Sequence, residues 1–395
     1  MTQALFREFL PLKLSFLIFS MLLNCMGIII LFYSGSDISY TGLGQLEFFK
    51  DIPIALMSIL AVSLINKMGT KRSLQASLFL VMLCCCLLPL VDDFWFLRIW
   101  FVIIGISFAI AKISVFGLIR GNSENEKRLS QVMNSVEASF MIGIFCVNIL
   151  FGWLLESYFK DNWKWGFFLI AVLSLITIIL LQRRDYKDIP HQDSISNFSN
   201  IKQIINSKTL IFFAILFCIV FVEQGFNYWM PTFYKEHFGV NSFFALQSTA
   251  FLALFSFIGR IVTSKLIQRF HWWNYILFCL ISAGSIMLFG QYLISNINPV
   301  PFYLMMLLPC IGLFISPLYP LYNSKFLVQV PVEKVNLLVS FIVIISSLGS
   351  SIGSMFMAFI FDFSLSRYYL SFSFIPLVFI FLLTAGFLKT IIKKD

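Results

Sequence analysis

Residues 182–209, "QRRDYKDIPHQDSISNFSNIKQIINSKT", form the longest polar stretch of the chain, and what lies on either side of it decides the fold. Both flanks run in long apolar segments that lack the period-2 alternation of barrel strands. Of 395 residues 59% are hydrophobic and 12% charged, 48 are Phe, and the mean hydropathy is +0.90. A water-soluble domain carries about a quarter charged residues. The solvent of this chain is therefore lipid, where a spanning helix needs roughly 20 apolar residues and only helices or closed barrels satisfy the backbone.

Polar and turn-forming residues cut the apolar runs into segments near 14–33, 43–65, 73–91, 95–119, 130–154 and 165–182 on one side. On the other side they lie near 209–233, 243–267, 274–294, 300–323, 335–360 and 368–388. The expectation is an all-α membrane protein with twelve transmembrane helices in two six-helix pseudo-repeats. Residues 1–182 and 209–395 form the two bundles, and 183–208 a cytoplasmic loop with a short amphipathic helix near Ile201 to Ile205. With the N-terminus inside, inner segments hold twenty Lys and Arg, and outer ones only Lys160, Lys164, Lys235 and Arg367. Both termini are thus expected in the cytoplasm, with Met1 to Lys13 a tail and not a signal peptide. The formal net charge of +9 follows from this bias and points to anionic lipid headgroups as partners, not to nucleic acid.

All eight cysteines fall within expected spans, with no CxxC pair and no His at ligand spacing, so they read as small packing residues. His191, His237 and His271 lie in loops or at span ends. No GxSxG, P-loop or HExxH pattern occurs and no soluble domain is large enough to hold one, so neither an enzyme nor a cofactor or metal is expected.

The two sides echo each other. "LINK" at 64–67 and "LIQR" at 266–269 end the second and eighth expected spans. The longer stretch "VSLINKMGTKR", 62–72, resembles the loop signature of the major facilitator superfamily, with Lys67, Gly69, Lys71 and Arg72 at matching positions. Asn66 stands for the usual Asp and Val62 for the first Gly. In that family the Asp is thought to latch the cytoplasmic gate; Asn66 can still accept a hydrogen bond at a helix N-terminus but brings no charge. The second copy, "GRIVTSKLIQRF" at 259–270, keeps Gly259, Arg260, Leu266 and Arg269 and has Gln268 for the acid. "EQGFNYWMPTFY", 223–234, and "GLFISPLYPLYNS", 312–324, look like the seventh and tenth helices of sugar and organic-anion branches, the second being similar to fucose-permease-like proteins. The fifth span, "SFMIGIFCVNILFGW", lacks the Gly-Pro motif of drug/proton antiporters. The resemblance implies helices 1, 4, 7 and 10 around a central cavity, alternating access, and a monomer in a bacterial inner membrane.

Charges inside the spans balance, with Lys50, Arg98, Lys112 and Arg260 against Glu47, Asp51, Glu137 and Glu223. Each needs a partner or a watery cavity. Glu47, Lys50 and Asp51 share one side of the second span, with Pro53 beyond them, and read either as a proton-responsive or outer-gate network or as a plain ion pair. Arg98, Gly105 and Lys112 recur every seven residues on the fourth span; Arg98 is favoured over Lys112 as the substrate cation, and Lys112 reads either as a second such cation or as a neutralising partner of Glu137, the two lying about equally far from the loop between their spans. Glu223, followed by Gln224, Asn227, Tyr228 and Trp229, reads as a proton carrier or hydroxyl acceptor, or else as a structural ion pair. Ser316, Tyr319, Tyr322 and Asn323 on the proline-broken tenth span, and Ser20 and Asn24 on the first, are substrate contacts or helix-to-helix hydrogen bonds. "SSLGSSIGS", 346–354, reads as close helix packing.

The sequence thus predicts a secondary transporter for a small polar solute, sugar-like or anionic, coupled to protons through Glu223, Glu47, Asp51 or Glu137. Lys50 joins Arg98, Lys112, Asn24, Asn227, Tyr228, Trp229, Tyr319 and Tyr322 as candidate substrate contacts. An exporter of amphipathic drugs or siderophores is the alternative, and a non-transporting receptor a third.

Overall fold

A computed structural model of the chain describes residues 8–34, 36–123, 126–157, 160–187, 206–266, 269–297, 302–327 and 332–392. Among them the secondary structure is helical throughout. In the first part of the chain the helices are α1 (Leu10–Leu23), α2 (Met26–Tyr33), α3 (Tyr40–Gly44), α4 (Leu46–Met68), α5 (Thr70–Leu87), α6 (Phe94–Gly121), α7 (Glu126–Glu156) and α8 (Gly166–Gln182). Then follow α9 (Ser207–Phe238), α10 (Ser242–Leu266), α11 (Trp272–Asn296), α12 (Phe302–Leu307), α13 (Gly312–Ile315), α14 (Leu318–Leu327), α15 (Val332–Asp362) and α16 (Tyr369–Ile392).

Eleven helical segments among the described residues are long and apolar enough to cross a membrane, counting α1 with α2 and the broken run 304–326 as one each. The expected second span, α4, is helical over 23 residues but is not among the eleven, and it carries Glu47, Lys50, Asp51 and Lys67. The expected amphipathic helix at 201–205 and most of the loop at 183–208 lie outside the described residues. Large apolar side chains such as Leu60, Trp153, Leu169, Ile281 and Leu382 stand more than half exposed, a surface that water would not tolerate and lipid does.

Contacts group the chain into two compact units, Met1–Cys25 with Phe48–Ile195 and Met26–Glu47 with Ser196–Asp395. In the first, α1 packs on α7 and α8, and α5 on α6 and α8. Its core is a ring cluster in which Phe167 lies 4.7 Å from Phe151 and 5.1 Å from Trp100, centroid to centroid. In the second, α9 is the central helix, packed on α10, α15 and α16, with α2 and α3 docked on α9 and α15. Its rings gather around Trp229 and Tyr369, with Phe361 5.0 Å from the first and Phe233 4.8 Å from the second.

Local chemistry explains the ends and breaks. Asp93 caps α6 by accepting from the Trp95 amide at 2.9 Å, and Asn206 caps α9 by accepting from Thr209 at 2.9 Å. Gly69 joins α4 to α5 at φ +87, a conformation open to glycine. The first span breaks at Asn24 and Cys25, where Asn24 turns its amide back to the Ser20 carbonyl at 2.9 Å.

Prolines inside α4 and α9 each meet a glycine. A proline leaves carbonyls one turn earlier without their helical partners. Pro53 does this near Lys50, and Gly105 of α6 packs so closely there that a Cβ would collide with the Lys50 carbonyl oxygen. Pro231 does it near Asn227 and Tyr228, whose carbonyl oxygens would lie 3.2 Å from a Cβ on Gly27. On α15 the small-residue stretch behaves as read: a Cβ at Gly349 or Gly353 would meet the carbonyls of Phe217 or Phe221 of α9.

Candidate functional site

A polar cluster forms inside the second unit where α9, α10 and the broken α13–α14 run meet. Gly259 and Gly312 lack side chains where α10 and α13 touch: a Cβ on the first would meet the Leu313 carbonyl, and one on the second the Leu252 carbonyl. That backbone-to-backbone approach brings Arg260, next to Gly259, onto Ser316, which sits in the turn between α13 and α14. The Arg260 Nε donates to Ser316 Oγ at 2.7 Å, and its Nη2 lies 3.5 Å from Glu223 Oε1. Ser316 is fully buried, whereas the Arg260 and Glu223 side chains keep 36% and 20% of their exposure. A pair in that setting is neither solvated nor sealed, so its charge state answers to what enters beside it.

A small cavity of about 10 Å³, room for about one water molecule, adjoins this cluster, with Glu223, Asn227, Ser256 and Ser316 as its polar lining and Phe226 and Ile315 among its apolar walls. One turn along α9, Asn227 Nδ2 donates to Gln224 Oε1 at 3.3 Å. On the far side, the Tyr319 hydroxyl is 3.1 Å from Ser346 Oγ of α15. Asn323 Oδ1 is buried without a hydrogen-bond partner. The arrangement can hold a proton on Glu223 or a carboxylate paired to Arg260, and can offer hydroxyls and amides to a polar solute.

Other expected contacts turn elsewhere. Trp229 donates its indole N–H to Ser354 Oγ of α15 at 3.2 Å, its ring packs on Tyr40 and Phe361, and Tyr228 is buried. The Tyr322 hydroxyl lies 2.5 Å from Thr384 Oγ1 of α16. The Glu47, Lys50, Asp51 trio divides. Glu47 is fully buried and accepts from Ser350 Oγ of α15 at 2.9 Å, while Lys50 Nζ donates to the Leu23 carbonyl at 3.3 Å and lies 4.0 Å from Asp51. Lys50 thereby places a cation at the carbonyl end of α1, where the helix dipole favours one.

Two carboxylates that the sequence reading did not single out hold Met26–Glu47 within its unit. Asp362 accepts from the Tyr40 and Thr41 amides at 2.7 Å each and from the Thr41 hydroxyl, and Tyr40 donates its hydroxyl to Glu236 at 2.7 Å. Burial, then the Glu236 hydrogen bond, push the Tyr40 phenol above its ordinary range.

In the first unit Lys50 and Asp51 lie 4.0 Å apart, and the remaining candidate charges are not gathered. Arg98 lays its guanidinium 3.9 Å over Trp95, with Phe49 and Phe94 within 6 Å, and its Nε is buried without a hydrogen-bond partner. Lys112 and Glu137 are both exposed and form no ion pair with each other among the described residues. Asn24 is engaged at the break of the first span.

Of the two loop signatures, Lys71 bonds the carbonyls of Gln182 at 3.3 Å and Arg184 at 2.6 Å, a cation on the C-terminus of α8. Asn66, Lys67 and Arg72 are exposed, as is Arg269, and Gln268 lies outside the described residues. Gly259 and Arg260, grouped by sequence with the second signature, belong in space to the polar cluster. Their link to Glu223 and Ser316 was hidden because it joins three elements; the four-against-four count of charges was the one signal for it.

The sequence profile of the Major Facilitator Superfamily matches residues 12–354. No curated protein sequence matches the chain. Among solved structures, a bacterial homologue of the human lysosomal transporter Spinster, in an inward-facing and unoccupied conformation, is 15% identical at TM-score 0.71, covering 98% of this chain and 97% of its own. A D-xylose–proton symporter is 14% identical at TM-score 0.70, covering 95% and 97%. The E. coli fucose:proton symporter is 16% identical at TM-score 0.63, covering 96% and 98%. At such identities the likeness is one of fold.

Proposed function

We propose that this chain, which belongs to the Major Facilitator Superfamily, is a proton-coupled symporter that imports a small polar solute. It is a transporter and not an enzyme, and a multi-pass membrane protein. The observation that carries the finer reading is the Glu223–Arg260–Ser316 cluster on its pocket. Protonation of Glu223 releases Arg260 and empties the pair of one charge, so solute and proton occupy the site together more favourably than either does alone. The hydroxyl and amide groups of Ser316, Asn227 and Tyr319 suit a sugar-like or carboxylate-bearing solute, and neighbours that carry xylose or fucose with protons are consistent with that class. In this reading α4 serves as a twelfth span beside the eleven apolar ones. Residues 1–182 and 209–395 are six-helix bundles joined by 183–208, both termini lie in the cytoplasm of a bacterium, and the protein works as a monomer in the inner membrane.

The test is proton uptake into proteoliposomes loaded with a pH dye while sugars, organic acids, siderophores and cationic drugs are added singly. Acidification by one polar class, lost in Glu223→Gln, supports symport. Silence across the panel in vesicles shown to be proton-tight overturns it.

A further inference from the structure

One end of the first unit is closed by a strap, residues 183–187, that follows α8 without being helical. The strap is held at three places. Lys71 Nζ donates to the Arg184 carbonyl at 2.6 Å. The Tyr186 hydroxyl donates to the Glu8 carbonyl at 2.7 Å, with its ring against Phe9. Asn122 and Lys187 exchange two bonds, Lys187 N to Asn122 Oδ1 at 3.0 Å and Asn122 Nδ2 to the Lys187 carbonyl at 3.2 Å. With its main chain so occupied, the strap turns its cations outward: Arg183, Arg184 and Lys187 are exposed, and so are Lys67, Arg72 and Arg120 around it.

Against these six, Asp185 is the one exposed carboxylate of this end among the described residues. The opposite end of the same helices differs. There Asp92, Asp93 and Glu156 are exposed, and Lys164 is engaged by Asp92 at 2.8 Å. The asymmetry follows the inner-side excess of Lys and Arg seen in the sequence, displayed here on a held strap. The basic end also borders apolar surface: within two turns of Arg183, α8 exposes Leu175, Ile176 and Ile179 at 42–46%. A strip of exposed aliphatic side chains that ends at exposed guanidinium groups on a held strap is complementary to an acyl chain that ends in a phosphate.

We infer that the strap end of the first unit is a binding surface for an anionic phospholipid, with Arg183 and Arg184 on the headgroup phosphate and the exposed α8 strip under the acyl chains. The Lys71, Tyr186 and Asn122 bonds act by holding the strap in place. A charge held on a fixed backbone loses less entropy on binding than one on a free loop.

The experiment uses the full chain in detergent micelles and reads lipid binding by native mass spectrometry with phosphatidylglycerol, phosphatidylcholine or inorganic phosphate. Phosphatidylglycerol is expected to bind in preference to phosphatidylcholine. Arg183→Gln with Arg184→Gln should weaken it about tenfold or more, from the worth of each cation near an anionic surface. Asn122→Ala should weaken it less and leave phosphatidylcholine unaffected. Lys164→Gln, a charge removed at the other end, should change nothing. Equal binding of the two lipids, retention of the preference in the double variant, or an equal loss in Lys164→Gln overturns the inference. So does displacement by millimolar inorganic phosphate, which would make this a site for a free anion.

Discussion

The two units handle part of their ionic groups differently. In the second, Glu223 meets Arg260 and Ser316, Glu47 meets Ser350, and Asp362 takes two backbone amides. In the first, Lys50 lies 4.0 Å from Asp51 and Lys164 2.8 Å from Asp92, but Arg98 is wrapped in aromatic rings, and Lys112 and Glu137 stand exposed without each other. A charge with a partner is part of the fold and responds to protonation of that partner; a charge without one is available to something that arrives. In the proposed reading, coupling rests on the Glu223–Arg260 pair of the second unit, beside hydroxyls and amides suited to a solute, and Arg98 is the first unit's candidate solute contact.

The largest expected effect breaks the pairing. Glu223→Gln should lower proton-coupled flux by two orders of magnitude or more, roughly the worth of a positioned proton carrier, measured as dye acidification at fixed protein density. Arg98→Met, by contrast, should raise the concentration of solute needed for half-maximal flux while leaving coupling intact. If Arg98→Met uncouples and Glu223→Gln merely weakens binding, the assignment of roles is reversed.

Stability separates the same two residues. Arg260→Met leaves Glu223 half-buried without its cation and should cost about 2 kcal/mol, less than a sealed pair because both side chains keep some exposure. Adding Glu223→Gln should restore part of that loss, a coupling a double-mutant cycle reads directly. Arg98→Met removes ring contacts only, worth about 1 kcal/mol. Thermal melts of the parent, Arg260→Met, Glu223→Gln, their double variant and Arg98→Met in one detergent decide it.

Helix packing offers a smaller contrast. Gly105→Ala puts a methyl into the Lys50 carbonyl beside Pro53, and overpacking of this kind costs about 1–3 kcal/mol. Gly27→Ala meets the carbonyls beside Pro231 at 3.2 Å, where a few tenths of an ångström of relaxation suffices, so it should cost less. Equal losses at the two positions would show that relaxation around Gly105 is as easy as around Gly27.

The apolar runs and the central polar stretch made the helices legible, because in lipid a span must be both long and helical. The break at Asn24 was not, since no proline or glycine marks it, and the grouping of Met26–Glu47 with the second unit was not, since it depends on Asp362 and Glu236 more than 190 residues away. Within the candidate site, Glu223, Asn227 and Tyr319 were legible from polar side chains on an apolar helix. Arg260 was counted both among the in-span charges and with the loop pattern of Gly259 and Arg269, and its partner was not legible. Its place follows from two glycines that let α10 and α13 touch, and glycine contacts across elements leave no local trace.

The smallest expected effect tests the rim of the first unit. The Lys164 hydrogen bond, helped by its charge, holds the Asp92 carboxyl below the ordinary carboxylate range. A carboxyl lowered on folding stabilises the native state above its unfolded pKa of about 3.9, and that contribution disappears as pH falls through the folded value. Asp92 is fully exposed, so screening keeps the effect slight. Lys164→Gln should therefore melt marginally below the parent at pH 7, and the two curves should merge as the pH is brought below the carboxylate range. A gap that widens on acidification would mean that Lys164 acts through its bond to the Val91 carbonyl, 3.1 Å away, and that even this exposed pair belongs with the paired charges of the other unit.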